Sequence, residues 1–278
     1  ERAWFVHLAA VASARGEPPE RTTHLAGMVL AHSTPTAWHF AMLRGLCEGT
    51  RTRESTNLLD RLARDSASGI AEGLGRLLTA AEALATDVEA DPDDRREAVA
   101  LLALSHRPES RRALRAAILS GDEPDVVGDA IRALLAQAEA TDLDFLLSRE
   151  TWRELGHAAR QNVMTSVLER PAWIEWVFRA IDDGIVQATD VPPGRRAQLL
   201  QHADARIRER AEAVFRNVSG ADRRAAYEAA RAALRLPARP EAGRTVFTRL
   251  CAECHRREGQ GFDVGPDLTG IRNQEPET

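Results

Sequence analysis

Apolar residues along this chain recur mostly at the spacing of an α-helix. The clearest stripe begins after Asp204, a residue type that caps helices, and occupies positions i, i+4, i+7 and i+8 with Ile207, Ala211, Val214 and Phe215. The same offsets recur in Val127, Ile131, Leu134 and Leu135. β-Branched residues are sparse, and no alternating apolar and polar run is long enough to compete with the helical period. The pattern therefore predicts an all-α fold.

Short breaks containing Pro, Gly, Ser or Asp divide this pattern into many helices. Besides the two stripes above, helices are predicted at about 36–48, 54–65, 67–86, 93–105, 109–119, 152–169, 172–183, 194–202 and 219–235. Helices of three to four turns joined by short loops are typical of stacked helical hairpins, so we interpret the region as a HEAT-like α-solenoid. No unit realigns at a fixed spacing, and a compact helical bundle is the alternative.

The clearest domain boundary is the proline-containing stretch 236–240, Leu-Pro-Ala-Arg-Pro, which stops the preceding helix. It predicts a HEAT-like helical-repeat domain at residues 1–236 and a second domain at 237–278. We expect the first domain to fold without the second, because its amphipathic helices can bury a continuous apolar core of their own.

Composition narrows the classes of function. Hydrophobic residues make up 44% of the 278 residues and charged residues 28%, as in ordinary soluble globular proteins. The net charge of -5, with arginines interspersed among acidic residues, argues against a nucleic-acid partner. All 37 basic residues are Arg, which excludes lysine as a nucleophile or iron ligand. No apolar run reaches the roughly 18 residues of a membrane span, and no signal peptide follows Glu1, so we expect the sequence to be a piece of a longer protein.

The strongest chemical signal is the pentapeptide Cys251-Ala252-Glu253-Cys254-His255. Its two thiols are one helical turn apart, where they can add to the two vinyl groups of haem, and the adjacent imidazole then lies beneath the iron. We therefore predict that Cys251 and Cys254 attach haem c covalently and that His255 is the proximal iron ligand.

Two other chemistries use paired cysteines. A structural zinc site needs four ligands, but the remaining cysteine is Cys47, about 200 residues away, and no second Cys/His pair has finger-like spacing. A redox-active CxxC motif is expected beside a βαβ pattern, which this sequence lacks. Zinc binding and thiol redox chemistry are therefore the weaker alternatives.

The residues before the motif resemble the first helix of class I c-type cytochromes. Gly243, Phe247 and Cys251 follow one another at i+4 on one face of a predicted helix. In that family, a glycine and an aromatic residue at this spacing let another helix cross closely. The resemblance implies that residues 237–278 are the N-terminal part of a class I c-type cytochrome domain, a partial haem-binding domain.

The loop after the motif, residues 265–270 with the sequence Gly-Pro-Asp-Leu-Thr-Gly, is similar to a second cytochrome c element. In the family, the proline carbonyl of this loop accepts the ring N–H of the proximal histidine. The resemblance assigns Gly265, Pro266 and Leu268 to the haem site, and it implies that Pro266 fixes the orientation of His255.

A longer resemblance covers roughly the last 100 residues. Segments 180–193 and 195–200, the helix after Asp204 and the run 243–270 resemble planctomycete-type haem-binding proteins. This implies an exported, periplasmic protein whose haem domain exchanges electrons with a redox partner protein or an upstream dehydrogenase domain. The family's later Met ligand and closing helix have no counterpart here. Because the segment after His255 holds no Met, Lys or second His, we expect haem that is absent or incompletely ligated in this chain.

Other potential ligands are assigned to structural roles. Met28, Met42 and Met164 lie in apolar helical patterns typical of core methionines. Core positions are also predicted for Cys47, Trp173 and Trp176. The remaining histidines lack metal-ligand spacing and are expected at the surface or in satisfied core positions: His7, His24, His32, His39, His106, His157 and His202.

The sequence offers no nucleophile with a base, no convergent carboxylates and no phosphate-binding glycine loop, so we do not expect an enzyme. The favoured hypothesis is an electron-transfer haem segment carried on a helical-repeat scaffold. The alternative is a protein-interaction scaffold in which the haem segment is incidental or unoccupied.

Overall fold

The computed structural model of this chain is built mainly from α-helices. It describes residues 6–11, 19–50, 57–65, 69–120, 123–216, 227–228, 230–231, 237, 239–262, 265 and 267–271. In these ranges the β-type pairing is limited to an isolated bridge between Arg257 and Gln260, and no β-sheet forms. The predicted all-α class is confirmed for this part of the chain.

Proline or polar residues begin many of the described helices. Their bounds are α1 Pro19–Leu30, α2 Ala37–Thr50, α3 Leu58–Ala63, α4 Ile70–Thr86, α5 Pro92–Leu102, α6 Pro108–Ser120, α7 Pro124–Ala136, α8 Ala140–Leu146, α9 Arg149–Glu154, α10 His157–Val167, α11 Ile174–Asp182, α12 Pro193–Leu200, α13 Ala205–Phe215 and α14 Pro240–Leu250. Several begin with proline, which is tolerated there because the first helical N–H has no partner within the helix.

Contacts along the backbone divide the chain into two compact units, Glu1–Leu143 and Asp144–Thr278. The boundary predicted from the prolines near residue 236 lies inside the second unit. Independent folding of residues 1–236 stays a prediction.

Helices α4 to α7 of the first unit pack in pairs. Helix α4 contacts α5 and α6 contacts α7, and the two pairs meet through α4 on α6 and α5 on α7. Their apolar faces are buried, with Leu77, Leu101 and Ile131 at most 1% exposed. The amphipathic pattern therefore produces helical hairpins that cover one another's apolar faces.

The first unit also buries one carboxylate completely. The side chain of Asp142 is 0% exposed, and its Oδ1 accepts from Arg115 Nη2 at 2.6 Å. Its Oδ2 accepts from Arg111 and from the backbone N–H of Glu139, the latter at 3.0 Å. Because a buried carboxylate is costly unless it is paired, these bonds tie α6 to the start of α8.

Helices α10 to α13 form one packed group in the second unit, which also contains α9 and α14. Helix α11 packs on α10 and α13, and α12 packs on α13. Met164 and Phe178 are 0% exposed in this core. The predicted cap is confirmed, because Asp204 Oδ1 accepts the backbone N–H of Arg206 at 2.9 Å.

Some helix predictions are wrong. The helix expected at 152–169 is two helices, since α9 ends at Glu154 and α10 begins at His157. Leu155 and Gly156 have extended backbone between them, with ψ of 129° and 170°. Helices α1 and α8 were not expected. Most of the helix expected at 219–235 lies outside the described residues.

The core assignment holds for Met164 and Cys47 but not for four other side chains. Met28 is 59% exposed and Met42 36%. Trp173 is half-buried with the Arg170 guanidinium 4.1 Å from its ring centre. Trp176 is also half-buried, and its indole N–H donates to Asp144 at 3.2 Å. Both indoles use contacts that an apolar core does not offer.

Candidate functional site

Helix α14 leads directly into the cysteine motif. It begins at Pro240, and the backbone N–H of Cys251 donates to the carbonyl of Phe247 at 2.8 Å, so the helical path continues to the first cysteine. An added Cβ on Gly243 would meet nothing within 4 Å. No described residue crosses the helix closely at that glycine, and the close helix crossing implied by the resemblance stays a prediction.

The motif itself folds into one further turn. The backbone N–H groups of Cys254 and His255 both donate to the carbonyl of Cys251, at 3.1 and 2.8 Å. Residues at i, i+3 and i+4 of such a turn share one side of it. Both thiols are free and half-buried, and His255 is half-buried as well. The backbone of the motif is therefore the single turn that the spacing predicted, and helical geometry then sets the two thiols and the imidazole on one side of it.

The loop at Gly265 lies against the imidazole of His255. A Cβ added to Gly265 would be 2.6 Å from Cε1 and 2.8 Å from Nδ1 of that ring. A side chain here would therefore collide with the ring. Leu268, the other described residue that the resemblance assigned to this loop, is half-buried and donates its backbone N–H to the carbonyl of Arg256 at 2.8 Å. Pro266 lies outside the described residues.

Residues 256–262 form a tight connection that folds back onto the motif. Arg257 and Gln260 exchange two backbone hydrogen bonds, and the backbone N–H of Phe262 donates to the carbonyl of Ala252 at 3.0 Å. Gly261 has φ of +95°, and an added Cβ would lie 2.2 Å from the carbonyl oxygen of His255. Only glycine fits this position, because both the backbone angle and the space exclude a side chain.

Sequence reasoning missed the role of Glu253, the acidic residue between the cysteines. Its Oε2 accepts the backbone N–H of Ala158, in the first turn of α10, at 3.3 Å. A Cβ added to Gly156 would lie 2.2 Å from Glu253 Oε1, so the glycine leaves the space that the carboxylate occupies. The signal in the sequence is indirect: α10 has a glycine N-cap and no acidic residue in its first turn.

The residues of the site fit a covalent haem. The two free thiols and the imidazole share one side of a turn, and Gly265 leaves room for the imidazole ring. Exposed apolar side chains in the same segment suit the faces of a porphyrin, with Leu250 58%, Phe262 59% and Ile271 54% exposed. Haem attachment to these residues is therefore compatible with the local structure.

The histidines elsewhere form no comparable site. Within the described ranges, no group of three or more His, Cys, Asp or Glu side chains could hold a metal ion. His106 Nδ1 lies 3.0 Å from a carboxylate oxygen of Asp60. His39 Nδ1 accepts the backbone N–H of Thr36 at 3.0 Å, and burial followed by the proximity of His32 lowers the pKa of His39. These contacts support the structural roles expected for the three histidines.

Thiol labelling should distinguish the motif from the third cysteine. Burial raises the pKa of the Cys47 thiol to about 12, with the charge of Glu48 adding to the shift. Because the thiolate is the reactive form, we expect Cys47 to resist iodoacetamide in the folded haem-free chain at pH 8, while Cys251 and Cys254 are alkylated. Peptide mass spectrometry checks this, and labelling of Cys47 at the rate of the other two would contradict it.

Gly261→Ala should destabilise the 256–262 connection and its hydrogen bond from Phe262 to the motif. The new Cβ would collide with the backbone of His255 at a residue with positive φ, and strain of this kind raises local opening roughly ten- to hundredfold. We expect the amide of Phe262 to exchange faster with solvent by that factor. Gly270→Ala is the matched control, since its Cβ would meet nothing within 4 Å. Equal exchange rates in the two variants would refute the steric argument.

Comparison with known proteins supports the same segment. The family model of Cytochrome c matches residues 240–278. No curated protein and no solved structure matches the chain. No helix in the described ranges has the length and apolar character needed to cross a membrane. This match supports a c-type cytochrome domain at residues 240–278, and domains of that family bind haem and carry electrons.

Proposed function

We propose that this chain carries one haem c, attached through Cys251 and Cys254 with His255 as its proximal ligand, and that it functions in electron transfer. The observation that carries the proposal is the single turn in which one carbonyl, that of Cys251, accepts the backbone N–H groups of both Cys254 and His255. This turn sets both thiols and the imidazole on one side, which double thioether attachment requires.

Each residue of the site has a defined task in this proposal. The two cysteines hold the group at fixed positions along the turn. His255 presents its imidazole, and the missing side chain at Gly265 lets the loop lie against that ring. Leu268 holds this loop against the motif through the carbonyl of Arg256. Haem, when bound, supplies one-electron redox chemistry.

We propose further that residues 1–236 form a HEAT-like scaffold and 237–278 the haem segment. The paired packing of α4 to α7 supports helical repeats in the first part. The chain then acts as a carrier rather than an enzyme, and its partner is a redox protein or an upstream dehydrogenase domain. Export to the periplasm follows from the resemblance, since haem attachment in that family is completed outside the cytoplasm; fractionation of the haem-loaded protein tests this.

The experiment that tests haem attachment is production of the full chain with and without a c-type maturation system. We expect the matured protein to gain the mass of one haem, to keep it under denaturing conditions and to give the pyridine-haemochrome spectrum of two thioethers. The chain made without maturation should lack all three signals and provides the control. Efficient maturation of a reference cytochrome beside a haem-free product from this chain would overturn the proposal and favour the interaction scaffold.

A further inference from the structure

The start of α10 lacks the groups that usually complete a helix N-terminus. The first backbone N–H groups of any helix have no partner within it, and a side-chain oxygen or an acidic residue commonly compensates. Here the N-cap residue is Gly156, which makes no side-chain hydrogen bond, and the first turn of this 11-residue helix contains no acidic residue. An acceptor and a negative charge from another part of the chain would therefore stabilise this helix start.

Glu253 supplies both. Its carboxylate accepts the backbone N–H of Ala158 at 3.3 Å and occupies the space that the Cβ of any other residue at position 156 would fill. A carboxylate beside a helix N-terminus is also favoured by the partial positive charge there. The hydrogen bond and the clearance at Gly156 are separate observations, and both point to the same side chain.

The position of Glu253 within the motif gives this contact a functional meaning. Cys251, Cys254 and His255 share one side of the turn, and Glu253 stands between the cysteines, off that series. The backbone N–H of Phe262 donates to the carbonyl of Ala252, the other residue between the cysteines. The two residues that do not attach haem therefore hold the turn to the protein, while the thiols stay free.

We propose that Glu253 is a positioning residue: by capping α10 beside Gly156, it anchors the haem-attachment turn to the packed group of helices α10 to α13. The anchor holds the turn in one orientation. It also keeps the Glu253 carboxylate beside the partial positive charge of the α10 N-terminus, so that the haem has a compensated negative charge near it. This inference rests on the proposed haem attachment for its effect on the iron, but the anchor itself exists in the haem-free chain.

The first test uses the haem-free full chain and measures hydrogen exchange at the Ala158 amide. Glu253→Ala removes the acceptor. Gly156→Ala leaves the motif unchanged, but its new Cβ displaces the Glu253 carboxylate from the start of α10. We expect each variant to speed exchange about fivefold, the usual effect of losing an N-terminal cap. The double variant should be no faster than either single variant, because both remove the same contact.

Matched controls separate the contact from general effects of substitution. Glu258→Gln changes a second acidic residue of the same segment, one that is exposed, and Gly194→Ala changes a glycine whose Cβ would meet nothing within 4 Å. Neither should alter exchange at Ala158. Unchanged exchange in Glu253→Ala, or effects of the two anchor variants that simply add, would overturn the inference.

The second test measures the reduction potential of the haem-loaded chain. Glu253→Gln keeps an acceptor oxygen but removes the negative charge, so the potential should rise. Gly156→Ala keeps the charge but moves it away from the helix N-terminus, so the less compensated carboxylate should lower the potential. If Glu253 has only a structural role, the reduction potential should shift in the same direction in both variants. That result would refute positioning by charge compensation.

The outcomes also separate this inference from the proposed function. If the unmodified chain attaches haem but hydrogen exchange at the Ala158 amide is unchanged in Glu253→Ala, the anchoring role of Glu253 is refuted and the haem proposal stands. If the exchange rates change as expected but the chain never attaches haem, the contact between Glu253 and α10 is supported. Its proposed role in positioning haem is then refuted.

Discussion

Replacing both Cys251 and Cys254 with alanine should abolish covalent haem attachment completely. Each thioether needs one of these thiols, and the remaining cysteine, Cys47, is only 7% exposed. Each single variant retains one thiol on the turn, so it should hold haem by one thioether and in reduced yield. The pyridine-haemochrome band of a single-thioether product is shifted from that of the unmodified protein. Haem staining after denaturing electrophoresis, combined with this spectrum, provides the measurement.

Cys47→Ala is the control for this series. Its thiol is buried in α2, and its pKa of about 12 keeps it protonated, so the variant should attach haem in the same yield as the unmodified chain. Covalent haem in the double variant, or its loss in Cys47→Ala, would show that the attachment site has been assigned to the wrong cysteines.

Asp142→Ala should destabilise the first unit by about 3 kcal/mol. The substitution removes a fully buried carboxylate and leaves Arg111 and Arg115 without their shared partner. The backbone N–H of Glu139 also loses its acceptor at the start of α8. We place the effect at the low end for a broken buried ion pair because the arginine side chains, 21% and 29% exposed, can turn toward water. Urea unfolding monitored by circular dichroism measures the loss.

Two further variants show which part of the Asp142 interaction matters. Asp142→Asn keeps the shape and an acceptor oxygen but removes the charge, so its loss of stability should be smaller than that of Asp142→Ala. Asp182→Ala breaks the ion pair with Arg210, whose members are 48% and 39% exposed, and should cost less than about 1 kcal/mol. Equal destabilisation by Asp142→Ala and Asp182→Ala would refute the importance of burial.

Features encoded over a few neighbouring residues were predictable from the sequence. The spacing of Cys251, Cys254 and His255 predicts a single turn, and the hydrogen bonds from Cys254 and His255 to the carbonyl of Cys251 form that turn. The cap at Asp204 and the burial of Ile207, Ala211 and Phe215 after it depend only on positions within one helix, and Val214 of the same stripe is half-buried. Local geometry and local sequence agree in both cases, so tertiary packing had little to override.

The contact of Glu253 could not be predicted in the same way. Its partner, the amide of Ala158, is 95 residues away in sequence. The break at Leu155 and Gly156 was missed for a related reason: apolar residues continue across it, and the sequence pattern of one helix resembles that of two short ones. Exposure of Met28 and Met42 likewise depends on which helices pack nearby, which helical periodicity does not specify.

The paired positions 156 and 253 make the haem segment a part that cannot be exchanged freely. A foreign cytochrome segment grafted after residue 239 would bring its own residue between the cysteines, and one without a carboxylate would leave α10 uncapped. A side chain at residue 156 would in turn obstruct the native segment. Chimeras and diverged relatives should therefore tolerate changes at these two sites only together, so the glycine at position 156 constrains which cytochrome segment can follow the helices before it.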